Sequence, residues 1–184
     1  MSSPAPHDPT APAGRGLRST CALALLLIIL LAGAENLARR EEARICRAAG
    51  SLKDSTFKDT HQEERRVRDL LSRSLTLRTV RPWSELIDEE GVLVARLLEC
   101  HQELGYALLT ELESGPPPGR RDGLRRRLRA RLSSLRRDAL ALGDEPCAGW
   151  SSSLSRSDAL LSFRDFLARR LRTIDRESRE SEGD

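Results

Sequence analysis

Aromatic residues are nearly missing: three Phe, two Trp and one Tyr in 184 residues. A core built on ring packing is excluded, so the interior must be aliphatic, mostly Leu with some Val, Ile and Ala. β-branched residues are few beside Leu, Arg, Glu and Ala, which disfavours strands and predicts an all-α chain. Asn36 is the only asparagine, and Leu37 and Ala38 follow it, so there is no N-glycosylation acceptor. No CxxC and no Cys/His cluster is present, which excludes an obvious zinc site. The GxSxG, HExxH, P-loop and GxGxxG patterns are also absent. His61 and His101 stand on separate segments, with no nucleophile motif near either, and both are expected on solvated helix surface. These absences argue for a non-enzyme with no cofactor. A net charge of +3, from 31 basic against 28 acidic residues, is too small for a globally basic nucleic-acid binder.

What is present starts at the N-terminus. Arg15 and Arg18 precede CALALLLIILLAGA (21–34), an uncharged apolar run ending in Ala32-Gly33-Ala34. Small residues at alternate positions after such a core predict a secretory signal peptide over 1–34. A retained type II anchor is the weaker reading, because a spanning helix needs roughly 20 apolar residues. Cleavage after Ala34 leaves 35–184, which is 184 − 34 = 150 residues, one secreted domain.

Cys21 belongs to the leader, so Cys46, Cys100 and Cys147 remain. In an oxidising compartment two pair and one is left, either buried or bonded to a partner chain. A Cys100–Cys147 bridge would tie the third helical segment to the joint before the last one. Cys46–Cys147 is the competing pairing.

Breakers at Gly50-Ser51, Pro82, GPPPG (115–119) and GDEPCAGWSSS (143–153) separate five segments with helical periodicity, 35–49, 61–77, 84–113, 122–142 and 157–177. Ser84 is expected to cap the third, Gly143 to end the fourth, and Ser157 or Asp158 to cap the fifth. The tail from about 178 is expected to fray. In the fourth segment Leu128, Leu132, Leu135, Ala139 and Leu142 step by fours and threes, a bundle seam. Leu93, Leu97, Leu104, Leu108, Leu128, Leu135, Phe163, Leu167 and Leu171 are expected to point inward together. Gly91 and Gly105 each weaken the third helix by about 1 kcal/mol relative to Ala. Stripes of this kind close most economically into a four-helix bundle. Whether 35–49 or 61–77 is its first helix stays open. Half of the residues in 120–137 are Arg, a run that is either a solvated face or a contact for heparan sulfate or another polyanion.

DALLSFRDFLARRLRTIDRE (158–177) resembles the fourth helix of secreted class I helical cytokines. Its Leu160, Phe163, Phe166 and Leu167 are similar to closing helices of the interleukin-6 group and of the interleukin-3 and granulocyte–macrophage colony-stimulating factor group. The order Cys100, Arg-rich helix with Gly123-Leu124-Arg125, Cys147, then a Phe-containing last helix is most similar to the latter. HQEERRVRDLLSRS (61–74) resembles an A helix of that kind. The resemblance implies an up-up-down-down four-helix bundle that binds and brings together cell-surface receptor chains. It implies receptor contacts at Glu41 and Glu42 (or Glu63 and Glu64) on the first helix, and at Arg164, Asp165, Arg169 and Arg172 on the last. The family has a long first crossover. Here the joint around Pro82 is short, and 50–60 is the other place for one. The competing class is an apolipoprotein-like secreted lipid binder, which RRRLRARLSSLRR (125–137) resembles.

Overall fold

The computed structural model describes residues 14–53, 59–81, 86–143 and 155–181. Among the described residues the fold is all-α, with five helices: α1 Gly14–Lys53, α2 Thr60–Val80, α3 Leu86–Glu113, α4 Pro118–Leu142 and α5 Arg156–Ser181. The expected breaks at Pro82 and most of 143–153, the Ser84 cap and Cys147 lie outside the described residues.

The chain divides into two units, Met1–Glu41 and Glu42–Asp184. In the first, Leu23 and residues 25–31 are each 57–67% exposed, and Arg39 pairs with Glu35 at 3.0 Å. Among the described residues, no helix is long and apolar enough to cross a membrane.

In the second unit, α1 stays helical through Gly50 to Lys53, past the expected break. It contributes Ile45, Ala49 and Leu52 to the core, and Glu42 receives Arg81 at 2.5 Å. Asp59 starts α2 by accepting the backbone N–H groups of His61 and Gln62 at 3.0 and 3.2 Å, a cap worth about 1 kcal/mol. Pro118 occupies the first turn of α4, where its missing N–H costs nothing. Gly143 ends α4 at φ +67°, a conformation that favours glycine. Ser155, rather than Ser157 or Asp158, caps α5. Its hydroxyl accepts from the Asp158 N–H at 3.2 Å, and the Asp158 carboxylate accepts from the Ser155 N–H at 3.1 Å. α5 runs to Ser181, past the expected fraying point near 178.

The close helix pairs are α2 with α3, α3 with α4, α3 with α5, and α4 with α5. Their directions follow from side-chain pairs. Ser74 meets Glu90 while Glu63 meets Arg96, so α2 and α3 are antiparallel. His101 meets Asp138 while Glu111 meets Arg120, so α3 and α4 are antiparallel. Arg125, early in α4, meets Asp175, late in α5. The order is therefore up-down-up-down, and it corrects the expected up-up-down-down. A parallel first pair needs a crossover longer than its helix. The connection 81–85 reaches about 17 Å, whereas α2 is about 31 Å long.

Leu93, Leu97, Leu128, Leu135, Phe163, Leu167 and Leu171 are buried as expected, each contributing about 1.5–3 kcal/mol. Leu104 and Leu108 are only half-buried, because α2 and α4 do not close over that part of α3. Gly105, counted from sequence as a weakness, is where α5 approaches. A Cβ there would stand 3.1 Å from both Leu167 and Phe163.

Candidate functional site: a buried ionic strut and the clefts beside it

Three helices converge on His101. It is fully buried, which corrects its expected place on solvated surface; His61 is exposed, as expected. The His101 Nε2–H donates to Asp138 of α4 at 2.9 Å. Its Nδ1 accepts from Arg131 at 3.1 Å. These partners fix the neutral tautomer with the proton on Nε2. Arg131 also donates to Glu64 of α2 at 2.5 Å. Arg68 of α2 forks onto Asp138 at 3.1 and 2.8 Å, and its Nη2 also reaches Glu64 at 2.8 Å and the Ser134 hydroxyl at 3.1 Å. Two guanidiniums balance two carboxylates around a neutral ring.

The local reason is periodicity. Glu64 lies three residues before Val67, and Asp138 three after Leu135. His101 lies four after Leu97. Each polar residue is in register with an apolar seam and is carried inward by its own helix.

Electrostatics lock the set. Burial alone would raise the Glu64 carboxyl, but hydrogen bonds from Arg131 and Arg68 hold it below its ordinary value. Burial likewise opposes ionisation of Asp138, and hydrogen bonds from His101 and Arg68 overcome it. Burial disfavours the Arg68 charge, yet Asp138 and Glu64 raise its pKa above the ordinary value. Glu64, His101 and Asp138 offer ligand atoms within 4.8 Å of one another. Arg68 and Arg131 already supply the positive charge there, so the donors suit a strut better than a metal centre. Both ring nitrogens are engaged within the protein, which gives the imidazole no free atom for proton transfer to a ligand.

Beside the strut lies a cleft of about 510 Å³ between α2 and α4. Leu104 and Leu108 floor it, and His61, Glu111, Arg127 and Arg131 stand among its walls. On the other side a smaller cleft of about 220 Å³ is lined by Leu71, Leu75, Leu97 and Ala141.

Of the acidic residues expected at a receptor interface, Glu42, Glu63 and Glu64 are each engaged within the protein. Glu41 falls in the first unit and Glu42 in the second, where Glu42 is held by Arg81. Glu64, the alternative, is consumed by the strut, and Glu63 stands 3.6 Å from Arg96. On α5, Arg164 pairs with Asp165 at 2.9 Å. Arg169 and Arg172 are exposed, off the Phe163, Leu167 and Leu171 stripe. Cys100 carries a free, fully buried thiol; Cys147 lies outside the described residues. Cys46 is half-buried. The Arg run is divided: Arg120 reaches Glu111 and Arg131 the strut, while Arg126, Arg127, Arg129, Arg136 and Arg137 are exposed.

No protein-family model matches this chain, and comparison with curated proteins and with solved structures finds no significant similarity.

Proposed function

We propose that the chain is a secreted helical ligand of the cytokine or growth-factor kind. On this reading 1–34 is its leader, and a four-helix bundle made by α2 to α5 presents helix faces to a cell-surface receptor. The observation that carries the reading is the division of labour among charges. The His, Asp and Glu that could do chemistry are committed to one another inside. Arg169 and Arg172 stand outside on α5, a helix held rigid by its buried stripe. Arg pre-positioned on a rigid element is favoured at interface hot spots. The antiparallel order departs from the long-crossover cytokine scheme, so the reading rests on this presentation and on the leader rather than on topology.

The second reading, in which the same domain is carried on the cell surface by a retained type II anchor, draws on the exposed Leu and Ile run of α1 and is the weaker one, since no described helix is long and apolar enough to cross a membrane. Mass spectrometry of the product from a secreting cell separates the two. A chain beginning at Glu35 supports the ligand, and a membrane-bound chain retaining Met1 supports the anchor.

Function is tested by binding to a panel of cytokine-receptor ectodomains. Arg169→Glu with Arg172→Glu should weaken binding by at least about tenfold while leaving helicity intact. Unchanged binding by the folded variant removes the α5 face. No binding to any ectodomain overturns the receptor reading.

A further inference from the structure

We propose that the groove between the start of α4 and the end of α5 binds a linear sulfated polysaccharide of the heparan sulfate type. It rests on the extracellular reading only for where such a ligand would be met.

The groove has a volume of about 430 Å³ and is lined by Arg125, Arg126 and Arg129 from α4 and Arg179 from α5, with Asp122 and Asp175. Four cations face two anions. Arg125 takes most of the compensation: its Nε lies 2.8 Å from Asp175, and Asp122 is 3.6 Å away. The Arg125 Nε and the Asp175 oxygen are buried without forming an aligned hydrogen bond. The pair cancels charge but leaves hydrogen-bonding capacity unused. Arg129 comes only within 4.0 Å of Asp175. Arg126 and Arg179 make no ion pair among the described residues. Like charges gathered on two rigid helices repel, and an anion laid between them relieves that repulsion.

The chemistry selects the anion. Guanidinium forks match the oxygens of sulfate and carboxylate in pairs. Several of them, spread over about two turns of antiparallel helices, suit a repeating polyanion better than a single phosphate. The lining is polar throughout, with no Leu or Phe positioned to enter a bilayer, which an interfacial membrane site requires. The groove is also not the whole Arg-rich run. Arg120 and Arg131 are committed elsewhere, and Arg179 joins from about 50 residues further along the chain.

The test is binding of the full secreted chain to immobilised heparin at about 0.15 M NaCl. Arg126→Glu with Arg129→Glu should weaken binding by at least about tenfold, and Arg179→Glu alone should weaken it measurably. The control, Arg65→Glu with Arg66→Glu on exposed positions of α2, changes the net charge equally and should keep wild-type affinity. Circular dichroism checks that each variant is folded. Equal loss in groove and control variants would reduce the effect to net charge and overturn the site. An unaffected Arg179 variant would overturn the two-helix groove. No heparin binding leaves a solvated face, and binding to phosphatidylserine-rich vesicles but not to heparin makes it a membrane surface; either result overturns the proposal. No receptor is involved, so failure here leaves the receptor reading untouched, and the reverse holds too.

Discussion

His101 of α3 and Asp138 of α4 share a 2.9 Å hydrogen bond with the ring wholly out of water. Asp138 is in turn gripped by Arg68 of α2, so one carboxylate joins three helices. Breaking such a set from one side leaves the remaining charges buried and unmatched. Asp138→Ala should therefore cost about 3 kcal/mol, the low end for a buried pair because the Arg68 side chain is 37% exposed. Urea denaturation measures it. A cost below about 1 kcal/mol would mean that water already solvates the set.

The same carboxylates set an acid response. Glu64 and Asp138 both have folded pKa values below their ordinary 4.5 and 3.8. A depressed carboxyl contributes stability above its unfolded pKa, and that contribution is lost as pH falls through the folded value. Thermal midpoints should be level near neutrality and fall once pH drops below about 4.5. Asp138→Asn should fall less steeply over that window, since one of the two titrating groups is gone. Parallel curves for wild type and variant would remove Asp138 from the account.

Burial pushes the Cys100 thiol up to about 12. The thiolate is the nucleophile, so at about pH 8 the native chain should resist iodoacetamide at Cys100 and react fully once unfolded. Peptide mapping by mass spectrometry reads both states. Rapid native labelling would show that α3 opens at its centre.

The helices were legible because Leu spacing carries the 3.6-residue period, and most expected core positions are inside. The strut was not. Residue type alone places His101 on solvated surface and offers Glu64 as a receptor contact, and it gives Asp138 no role, although each stands three or four residues from a seam Leu or Val. Their register was the available signal. What the register could not supply was the partner, because Arg68 and Arg131 find them only after three helices meet. The direction of the helices was legible in principle from the short joints at 81–85 and 114–117. The family resemblance pointed the other way.

Leu104 and Leu108 mark where sequence periodicity overstates burial. They continue the α3 stripe, yet they floor the cleft between α2 and α4. Leu104→Ala and Leu108→Ala should each cost about 1 kcal/mol, against about 2–5 kcal/mol for Leu128→Ala or Leu135→Ala in the closed core. Equal costs at all four sites would mean that the cleft closes in solution.

Two glycines should respond to alanine in opposite ways. Gly123 sits near the start of α4, and a Cβ there meets nothing within 4 Å. Gly123→Ala should gain up to about 1 kcal/mol from helix propensity alone. Gly105 has the same propensity to gain, but its Cβ would press on the Leu167 methyl and the Phe163 ring at 3.1 Å. Both neighbours are buried and packed, so neither gives way freely, and Gly105→Ala should lose about 1–2 kcal/mol despite the better helix former. Melting curves of the two variants decide it. A stabilised Gly105→Ala would show that α5 does not approach α3 closely at this point, and the α3–α5 contact would have to be redrawn.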